Sequence, residues 1–349
     1  MRLLLTGGAG FIGSHTCLSL LEQGYEVIVV DSFINSSKKS LKKVLEILAM
    51  EGKDYANRLD IEEVDLRDLK RLNDVFENAH KFGKKIDAVI HFAGLKSVSD
   101  SISKPLNYWD VNVGGTINLL QIMKKFNCKS IVFSSSATIY DPEGSDIIDE
   151  NNKIAPINPY GNTKYNIEKI LTDLFNSSDD NWRIFNLRYF NPIGAHNSGL
   201  IGEDPKGIPN NIYPLITKVA AGLIKQIEIF GNDWDTKDGT GVRDYIHVMD
   251  LAEGHVKAAE KMLQSHSQVV NLNLGTGKGT SVLELIKTFE NVNKLKIPFV
   301  FTARRKGDYG KVVANNSLAI KLLDWVPFRN IEDMCIDGWN WQLKNPKGY

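Results

Sequence analysis

The chain has 349 residues, 42% of them hydrophobic, and its 42 basic and 42 acidic side chains give a formal net charge of zero. This length can hold two domains or one large α/β unit, and the balanced charge gives no electrostatic reason to expect binding to nucleic acid or to an anionic membrane. The three cysteines are scattered and the seven histidines form no ligand cluster, so we expect a reducing compartment and no metal. Neither a signal-peptide pattern nor a bilayer-spanning apolar run is found, and we expect a soluble, cytoplasmic protein.

The amino-terminal segment has the pattern of a dinucleotide-binding unit. An apolar strand at 3–5 leads into the glycine-rich loop 6–13, and a predicted helix at 14–23 and strand at 25–30 follow. Glycines in such a loop permit a tight turn, let a pyrophosphate approach the backbone, and let the helix pack on the strand. Asp31 follows the second strand, where a carboxylate can accept hydrogen bonds from the adenosine ribose and would repel a 2′-phosphate. The segment therefore predicts NAD rather than NADP.

Strands and helices then alternate along the first half of the chain. Apolar runs predict strands at 61–64, 88–92, 130–134 and 182–189, and helical patterns are found at 69–80, 112–126 and 160–175. Alternation of this kind predicts an α/β fold with a doubly wound, parallel Rossmann sheet, whose ligands bind beyond the carboxyl ends of the strands. The side chains that fall at those ends are Asp31, Asp65, Phe92, Lys96, Ser136 and Tyr189. We expect them to converge on a single site.

After Tyr189 the chain becomes rich in Gly, Pro and Asn, which is typical of loops that bind ligands. We predict a Rossmann domain at 1–189 and a smaller, mixed α/β substrate-binding domain at 190–349, with segments around 230–275 returning to the first domain. The functional site is expected in the cleft between the two.

Two elements are predicted within the returning segments. Asp250 is expected to cap a helix that runs to about residue 262, with Glu253 placed for a capping box. The alternating segment 269–274 is expected to be a strand that returns to the main sheet.

Tyr160 and Lys164 are four residues apart, so in a helix they lie on one face. A neighbouring ammonium group lowers the pKa of a phenol, whose ordinary value is about 10, and a phenol with a lowered pKa can exchange a proton with a substrate hydroxyl. The same spacing is common on solvated helix faces. It becomes informative here because Ser136 and a dinucleotide-type loop accompany it.

The chain resembles the extended short-chain dehydrogenase/reductase family, and within it the NAD-dependent epimerases of nucleotide sugars, over essentially its whole length. The segments that carry the resemblance are 6–13, 91–96, 133–138, 159–164, 187–192, 207–211, 238–247 and 304–308. The last three lie in the second predicted domain and are more specific than the Rossmann glycines.

The resemblance implies reversible epimerisation of UDP-glucose and UDP-galactose at C4 through a transient 4-keto sugar, with bound NAD as the hydride store. Tyr160 would be the base, Lys164 would lower its pKa and hold the nicotinamide ribose, and Ser136 would bond the 4-oxygen. The residues implied to line NAD are Gly7, Gly10, Phe11, Ile12, Gly13, Asp31, Asn35, Asp65, Leu66, Phe92, Ala93, Lys96, Tyr160, Lys164 and Phe190. Those implied to bind the UDP-sugar are Lys96, Ser136, Tyr160, Asn191, Asn211, Arg243, Arg305 and Asp308.

One position departs from the commoner family pattern in an informative way. Val312 stands where enzymes of the family that reject 2-N-acetyl sugars carry a bulky tyrosine, and where those that accept them carry a small residue. The resemblance therefore implies additional activity on UDP-N-acetylglucosamine and UDP-N-acetylgalactosamine. An ordinary packing role for Val312 is the alternative.

Other functions remain open at this point. A 4,6-dehydratase is disfavoured because Ser136-Ala137-Thr138 stands where those enzymes carry Thr-Asp-Glu. A uronate 4-epimerase and a catalytically silent NAD-binding regulator are the remaining alternatives. The family also implies a homodimer formed through the helices at 112–126 and 160–175.

Overall fold

A computed structural model describes the chain except for residues 82, 143, 144, 146, 178–180, 208, 210 and 306. Two residues of the 207–211 motif, Ile208 and Asn210, therefore lie outside the described residues. The strands are β1 (Arg2–Thr6), β2 (Glu26–Asp31), β3 (Leu59–Glu63), β4 (Ala88–His91), β5 (Ser130–Ser134), β6 (Ile147–Ile148), β7 (Arg183–Tyr189), β8 (Asn191–Ile193), β9 (Ile227–Phe230), β10 (Val242–His247), β11 (Gln268–Leu274), β12 (Gly279–Ser281), β13 (Phe299–Thr302) and β14 (Lys311–Ala314). The α-helices are α1 (Phe11–Glu22), α2 (Lys38–Met50), α3 (Leu69–Lys81), α4 (Val98–Ser103), α5 (Pro105–Tyr108), α6 (Gly115–Lys125), α7 (Pro159–Asn176), α8 (Ile212–Ala220), α9 (Val248–Gln264), α10 (Val282–Asn293), α11 (Ser317–Leu323) and α12 (Ile331–Lys344).

The large sheet has seven parallel strands in the order β3-β2-β1-β4-β5-β7-β11. The chain winds outward from β1 in both directions, so the strand order reverses between β1 and β4, which is where doubly wound sheets bind ligands. The predicted return of 269–274 is confirmed, because β11 pairs with β7 from Gln268 opposite Arg183 to Leu274 opposite Tyr189. The predicted Rossmann fold is therefore present.

Helices cover both faces of this sheet. On one face α1, α2, α9 and α11 bury apolar side chains against the strands, and on the other face α3, α6 and α7 do so. Central strands can then be apolar throughout, as in the run Leu3–Leu5 of β1, in which every side chain is buried. The predicted helix 112–126 corresponds to α6, preceded by a π-helical turn at Trp109–Gly114.

The remaining strands form what we call the second lobe. One sheet has the order β12-β10-β14-β6, with β8 also paired to β10, and β9 and β13 form a separate two-stranded sheet. Because β6 comes from the first half of the chain and β11 from the second, each half contributes to the other's sheet. The boundary between 189 and 190 stays a prediction.

The predicted cap of α9 is wrong. The N-cap residue is His247, whose Nδ1 accepts from the backbone N–H of Met249 at 3.0 Å. The carboxylates of Asp250 and Glu253 instead bind the guanidinium of Arg329, a residue distant in sequence. A partly buried arginine requires charged partners, and this tertiary demand outweighs the local capping preference.

Within the part of the chain that is described, no helix combines the length and apolarity needed to cross a bilayer.

Candidate functional site

The glycine loop between β1 and α1 is held in a conformation that only glycine allows. Gly7 has φ +69°, and a Cβ there would lie 2.7 Å from the backbone nitrogen of Ala93. A Cβ on Gly13 would collide with the carbonyl oxygen of Gly7. Helix α1 begins after Gly10 without a side-chain cap, so its first N–H groups are available to an anion. The loop is suited to a pyrophosphate.

Asp31 is fixed at the end of β2. Its Oδ2 accepts from the backbone N–H of Ala9 at 3.0 Å, and its Oδ1 accepts from the N–H of Phe33 at 2.9 Å and from the hydroxyl of Ser36 at 2.7 Å. The predicted Asn35 lies in the same turn and is exposed. These bonds present a carboxylate beside the glycine loop, where a ribose is expected.

The ends of β3 and β4 carry the next predicted residues. Asp65 follows β3, and its hydrogen bonds with the guanidinium of Arg67 lower the pKa of the Asp65 carboxyl. Leu66 beside it is buried. After β4, the ring of Phe92 packs against His255 with centroids 4.8 Å apart. A charged and an apolar wall therefore border the groove at the strand ends.

Tyr160, Lys164 and Ser136 come together beneath this groove. Asn158 caps α7 by accepting from the N–H of Gly161 at 2.8 Å, which places Tyr160 and Lys164 one turn apart on the buried face. Their exposed fractions are 6% and 4%, and that of Ser136 is 5%. The Nζ of Lys164 lies 6.0 Å from the centroid of the Tyr160 ring. Ser136 hydrogen-bonds Tyr160, which acts to lower the tyrosine's pKa.

The effect of Lys164 on the pKa of Tyr160 stays a prediction, and the net shift of that pKa is upward. Burial raises the pKa of Tyr160 well above its ordinary value, and Tyr189 nearby raises it further. Burial also lowers the pKa of Lys164 to about 8, against the opposing charge of Glu168. Burial removes water that would stabilise a phenolate, so these surroundings favour the protonated form of Tyr160.

A buried ion pair supports this group, and the sequence interpretation missed it. Glu168 Oε2 lies 2.6 Å from Nη2 of Arg188, and Glu168 Oε1 accepts from the hydroxyl of Ser135 at 2.5 Å. Arg188 also donates to the hydroxyl of Tyr140 at 2.8 Å. Because Ser135 and Tyr140 flank Ser136 along the chain, the pair fixes the serine relative to α7. Its one sequence signal was a glutamate one helical turn after the predicted lysine.

Five of the residues predicted to bind the UDP-sugar line one cleft, which we call the second-lobe pocket. They are Asn191, Asn211, Arg243, Arg305 and Asp308, and aromatic side chains of Phe230, Trp234 and Tyr245 complete the walls. Arg305 donates to Asp308 at 3.0 Å and its guanidinium lies 4.6 Å from the centroid of the Phe230 ring. Two guanidinium groups and an aromatic wall can bind a diphosphate and stack against a planar ring.

Comparison with known proteins agrees with this geometry. The NAD dependent epimerase/dehydratase family matches residues 3–273. The chain belongs to this family. It is 50% identical to UDP-glucose 4-epimerase of Bacillus subtilis (strain 168) over 349 residues, which is 100% of this chain and 99% of that protein.

Solved structures support the same family membership. The crystal structure of UDP-glucose 4-epimerase from Bifidobacterium longum in complex with NAD+ and UDP is similar with a TM-score of 0.92 at 46% identity, and each chain is covered completely. The UDP-Glc/GlcNAc 4-epimerase of Campylobacter jejuni has a TM-score of 0.82 at 30% identity, with 98% of this chain and 99% of that chain covered.

As a member of this NAD-dependent epimerase/dehydratase family, the chain uses NAD, and the glycine loop, the uncapped start of α1 and the Asp31 carboxylate fit that cofactor. Among the residues that the structure describes, His, Cys, Asp and Glu form no group suited to a metal ion.

Three predicted residues lie between the cofactor groove and the second lobe. Phe190 is buried, and Val312 packs against the same small core. Val312 also pairs with Arg243 across β14 and β10, at the edge of the second-lobe pocket. Lys96 forms an ion pair with Glu203 at 2.7 Å.

Proposed function

We propose that the protein interconverts UDP-glucose and UDP-galactose at C4 through a transient 4-keto sugar. One observation carries the proposal: a buried Tyr160–Lys164–Ser136 group at the strand ends of an NAD-type sheet, in a chain whose second lobe offers an arginine-lined pocket. A hydroxyl carbon that loses a hydride requires a base for its oxygen, and the group contains one. The name of the Bacillus subtilis relative supports the same reaction.

Tyr160 exchanges the proton of the sugar 4-hydroxyl in this proposal. NAD, when bound, supplies the acceptor and later the donor of the C4 hydride. The raised pKa of Tyr160 must fall before its oxygen can accept a proton. The hydrogen bond from Ser136 favours the phenolate, and in this proposal the positive charge of the nearby Lys164 ammonium does so too. The 4-keto sugar then presents its opposite face, and Tyr160 returns the proton to the oxygen.

The second-lobe pocket binds the UDP portion in this proposal. Arg243 and Arg305 bind the diphosphate, and Asp308 accepts from ribose hydroxyls. Asn191 and Asn211 supply amide groups from two further segments of the wall. Binding energy from the nucleotide then positions the sugar C4 at Tyr160, where the reaction occurs.

Two measurements test the reaction together. The purified protein is denatured and the supernatant is analysed for NAD, and the native protein is assayed for conversion of UDP-galactose to UDP-glucose without added cofactor. We expect about one NAD per chain and turnover in both directions. Bound NAD without turnover would favour the silent regulator, and preferential turnover of a UDP-uronate would favour a uronate 4-epimerase.

We also propose activity on UDP-N-acetylglucosamine. The small Val312 at the edge of the second-lobe pocket supports it, as does the similarity to an enzyme named for both glucose and N-acetylglucosamine substrates. A Val312→Tyr variant should lose turnover of the N-acetyl sugar and keep that of UDP-galactose. Robust UDP-galactose turnover beside no turnover of UDP-N-acetylglucosamine in the unmodified protein would reject this activity.

We also propose that the protein is a homodimer and that it is located in the cytoplasm. The exposed fractions of Ile102 on α4 and Leu106 on α5 are 66% and 81%, and both helices pack beside α7, one of the two predicted interface helices. Light scattering should give twice the chain mass, and a double Ile102→Glu, Leu106→Glu variant should be monomeric. The three cysteines are free and buried, which is compatible with a reducing compartment.

A further inference from the structure

A short segment of the second lobe, Gly202–Lys206, which we call the strap, is anchored firmly at the carboxyl terminus of the chain. The N–H of Gly202 donates to the hydroxyl of Tyr349 at 3.1 Å, and the carboxylate of Asp204 accepts from the N–H of Tyr349 at 2.9 Å. The indole of Trp341 donates to the carbonyl of Glu203 at 3.2 Å. Residues 202–204 of the strap are therefore fixed to α12 and to the residues that follow this helix.

One end of the strap reaches the loop that follows β2, directly after Asp31. The Nζ of Lys206 donates to the carbonyl oxygens of Phe33 and Ile34 at 2.9 and 2.7 Å. The N–H of the same Phe33 donates to Asp31 at 2.9 Å. Lys206 thus ties the second lobe to the turn that presents the carboxylate expected at the adenosine ribose.

Near its other end, the strap reaches the loop that follows β4. The carboxylate of Glu203, 9% exposed, pairs with Nζ of Lys96 at 2.7 Å. Ala93 in that loop closely approaches Gly7 of the glycine loop, and Phe92, Ala93 and Lys96 are among the residues predicted to line NAD. Two side chains of the strap, Lys206 and Glu203, therefore bond to loops that follow two different strands of the large sheet, β2 and β4.

We propose that the strap retains NAD in its groove. The two loops that the strap joins follow strands of the Rossmann sheet and border the cofactor groove. Residues 202–204 of the strap are bound instead to α12 and to Tyr349. The dinucleotide then dissociates only after the Lys206 and Glu203 bonds have opened, which slows its release. In the proposed reaction the cofactor stores a hydride between the two halves of one turnover. Retention is then useful, because loss of the cofactor at that stage would leave the keto sugar without a hydride donor. The inference rests on NAD as the cofactor and is independent of which sugar is turned over.

The rate of NAD release tests the proposal directly. Holoenzyme is mixed with an excess of the fluorescent analogue etheno-NAD, and release of the original NAD is followed by quantifying what remains bound after rapid desalting. Lys206→Met keeps the alkyl stem and removes the donor, and Glu203→Gln keeps the shape and removes the charge. We expect each to speed release by about tenfold, and the double variant to speed it further. Lys225→Met, at an exposed lysine of the same lobe, is the matched control and should release NAD at the unmodified rate.

Release rates of both Lys206→Met and Glu203→Gln equal to that of the unmodified protein would overturn the proposal. Equal acceleration by Lys225→Met would also overturn it, because the effect would then follow from lost surface charge. The measurement does not require sugar turnover, so failure of the proposed epimerase reaction would leave this result interpretable.

Discussion

The Tyr160–Lys164–Ser136 group and the second-lobe pocket differ in how far their charged side chains are exposed to solvent. The first group is almost completely buried, and its neighbours are other buried polar side chains such as the Glu168–Arg188 pair. In the pocket, the side chain of Arg305 is 52% exposed and its charge is balanced by Asp308 beside it. Burial makes the protonation state of the first group sensitive to every neighbouring charge, whereas solvent screens the second.

The difference separates two tasks. A dry site strengthens the electrostatic effect of each group on the reacting oxygen, but it requires every buried charge to have a partner. An open, arginine-lined cleft attracts an anionic ligand and gives affinity that declines with salt. Substitutions in the buried group should therefore change the rate or the stability, whereas substitutions in the pocket should change the affinity for the nucleotide.

Replacing Tyr160 by Phe should have the largest effect. Removing the only proposed proton acceptor should lower the rate of epimerisation by about a thousandfold, within the range for general acid–base catalysis. Bound NAD should stay at the unmodified level. Tyr165→Phe, farther along α7, is the control and should keep most of the rate. Turnover of Tyr160→Phe within tenfold of the unmodified protein would contradict the assignment.

Breaking the buried pair should destabilise the fold. Arg188→Met leaves the Glu168 carboxylate buried without its bidentate partner, and the free energy of unfolding should fall by about 3–5 kcal/mol in urea titrations. The double variant Arg188→Met, Glu168→Leu should recover part of that loss, because no buried charge is then left alone. A loss below about 1 kcal/mol in the single variant would show that the pair is dispensable.

Arg305→Ala should weaken binding of UDP by about ten- to a hundredfold, since a charge-assisted contact to the diphosphate is lost. Calorimetric titration of the holoenzyme with UDP measures the change. The adjacent Arg304 pairs with Asp233 and stacks on Trp234, and Arg304→Ala is the matched control. An equal loss in both variants would indicate a general charge effect rather than a specific contact.

The pH dependence of turnover should show the smallest effect. Burial lowers the pKa of Lys164 to about 8, so its ammonium is present below that pH and is lost as the pH rises through it. The reactive form requires a Tyr160 phenolate beside a Lys164 ammonium, and the pKa of Tyr160 lies well above its ordinary value. kcat/KM should therefore rise by about tenfold for each pH unit up to about pH 8 and level off above it, because loss of the ammonium then offsets the gain of phenolate. Lys164→Arg keeps the charge at all these pH values, so its kcat/KM, although lower, should continue to rise above pH 8. A rise that continues to pH 9.5 in the unmodified protein would contradict this role.

Local sequence patterns predicted most of the NAD-binding part of the molecule. The glycine loop, the strand that precedes it and Asp31 lie within the first 31 residues, and their pattern is short-range. The alternation of strands and helices likewise predicted the doubly wound sheet, because each element reveals its type through its own periodicity. The spacing of Tyr160 and Lys164 required only a helix to place them on one face.

Other features depend on contacts between distant segments. The prediction that Asp250 caps α9 rested on local sequence preference. It was wrong, because the Asp250 carboxylate binds Arg329, a residue distant in sequence. The upward shift of the Tyr160 pKa also depends on tertiary structure, since the sequence indicates a neighbouring charge but not the amount of water excluded.

The sequence by itself determined the fold class and the cofactor, and it predicted the reactive side chains, since these depend on short patterns. Only the tertiary structure decided that Glu168 and Arg188 pair, that Lys206 reaches the Asp31 turn, and that burial governs the protonation of Tyr160. The physical reason is that desolvation and ion pairing depend on which distant segments pack together, and no local pattern encodes that packing.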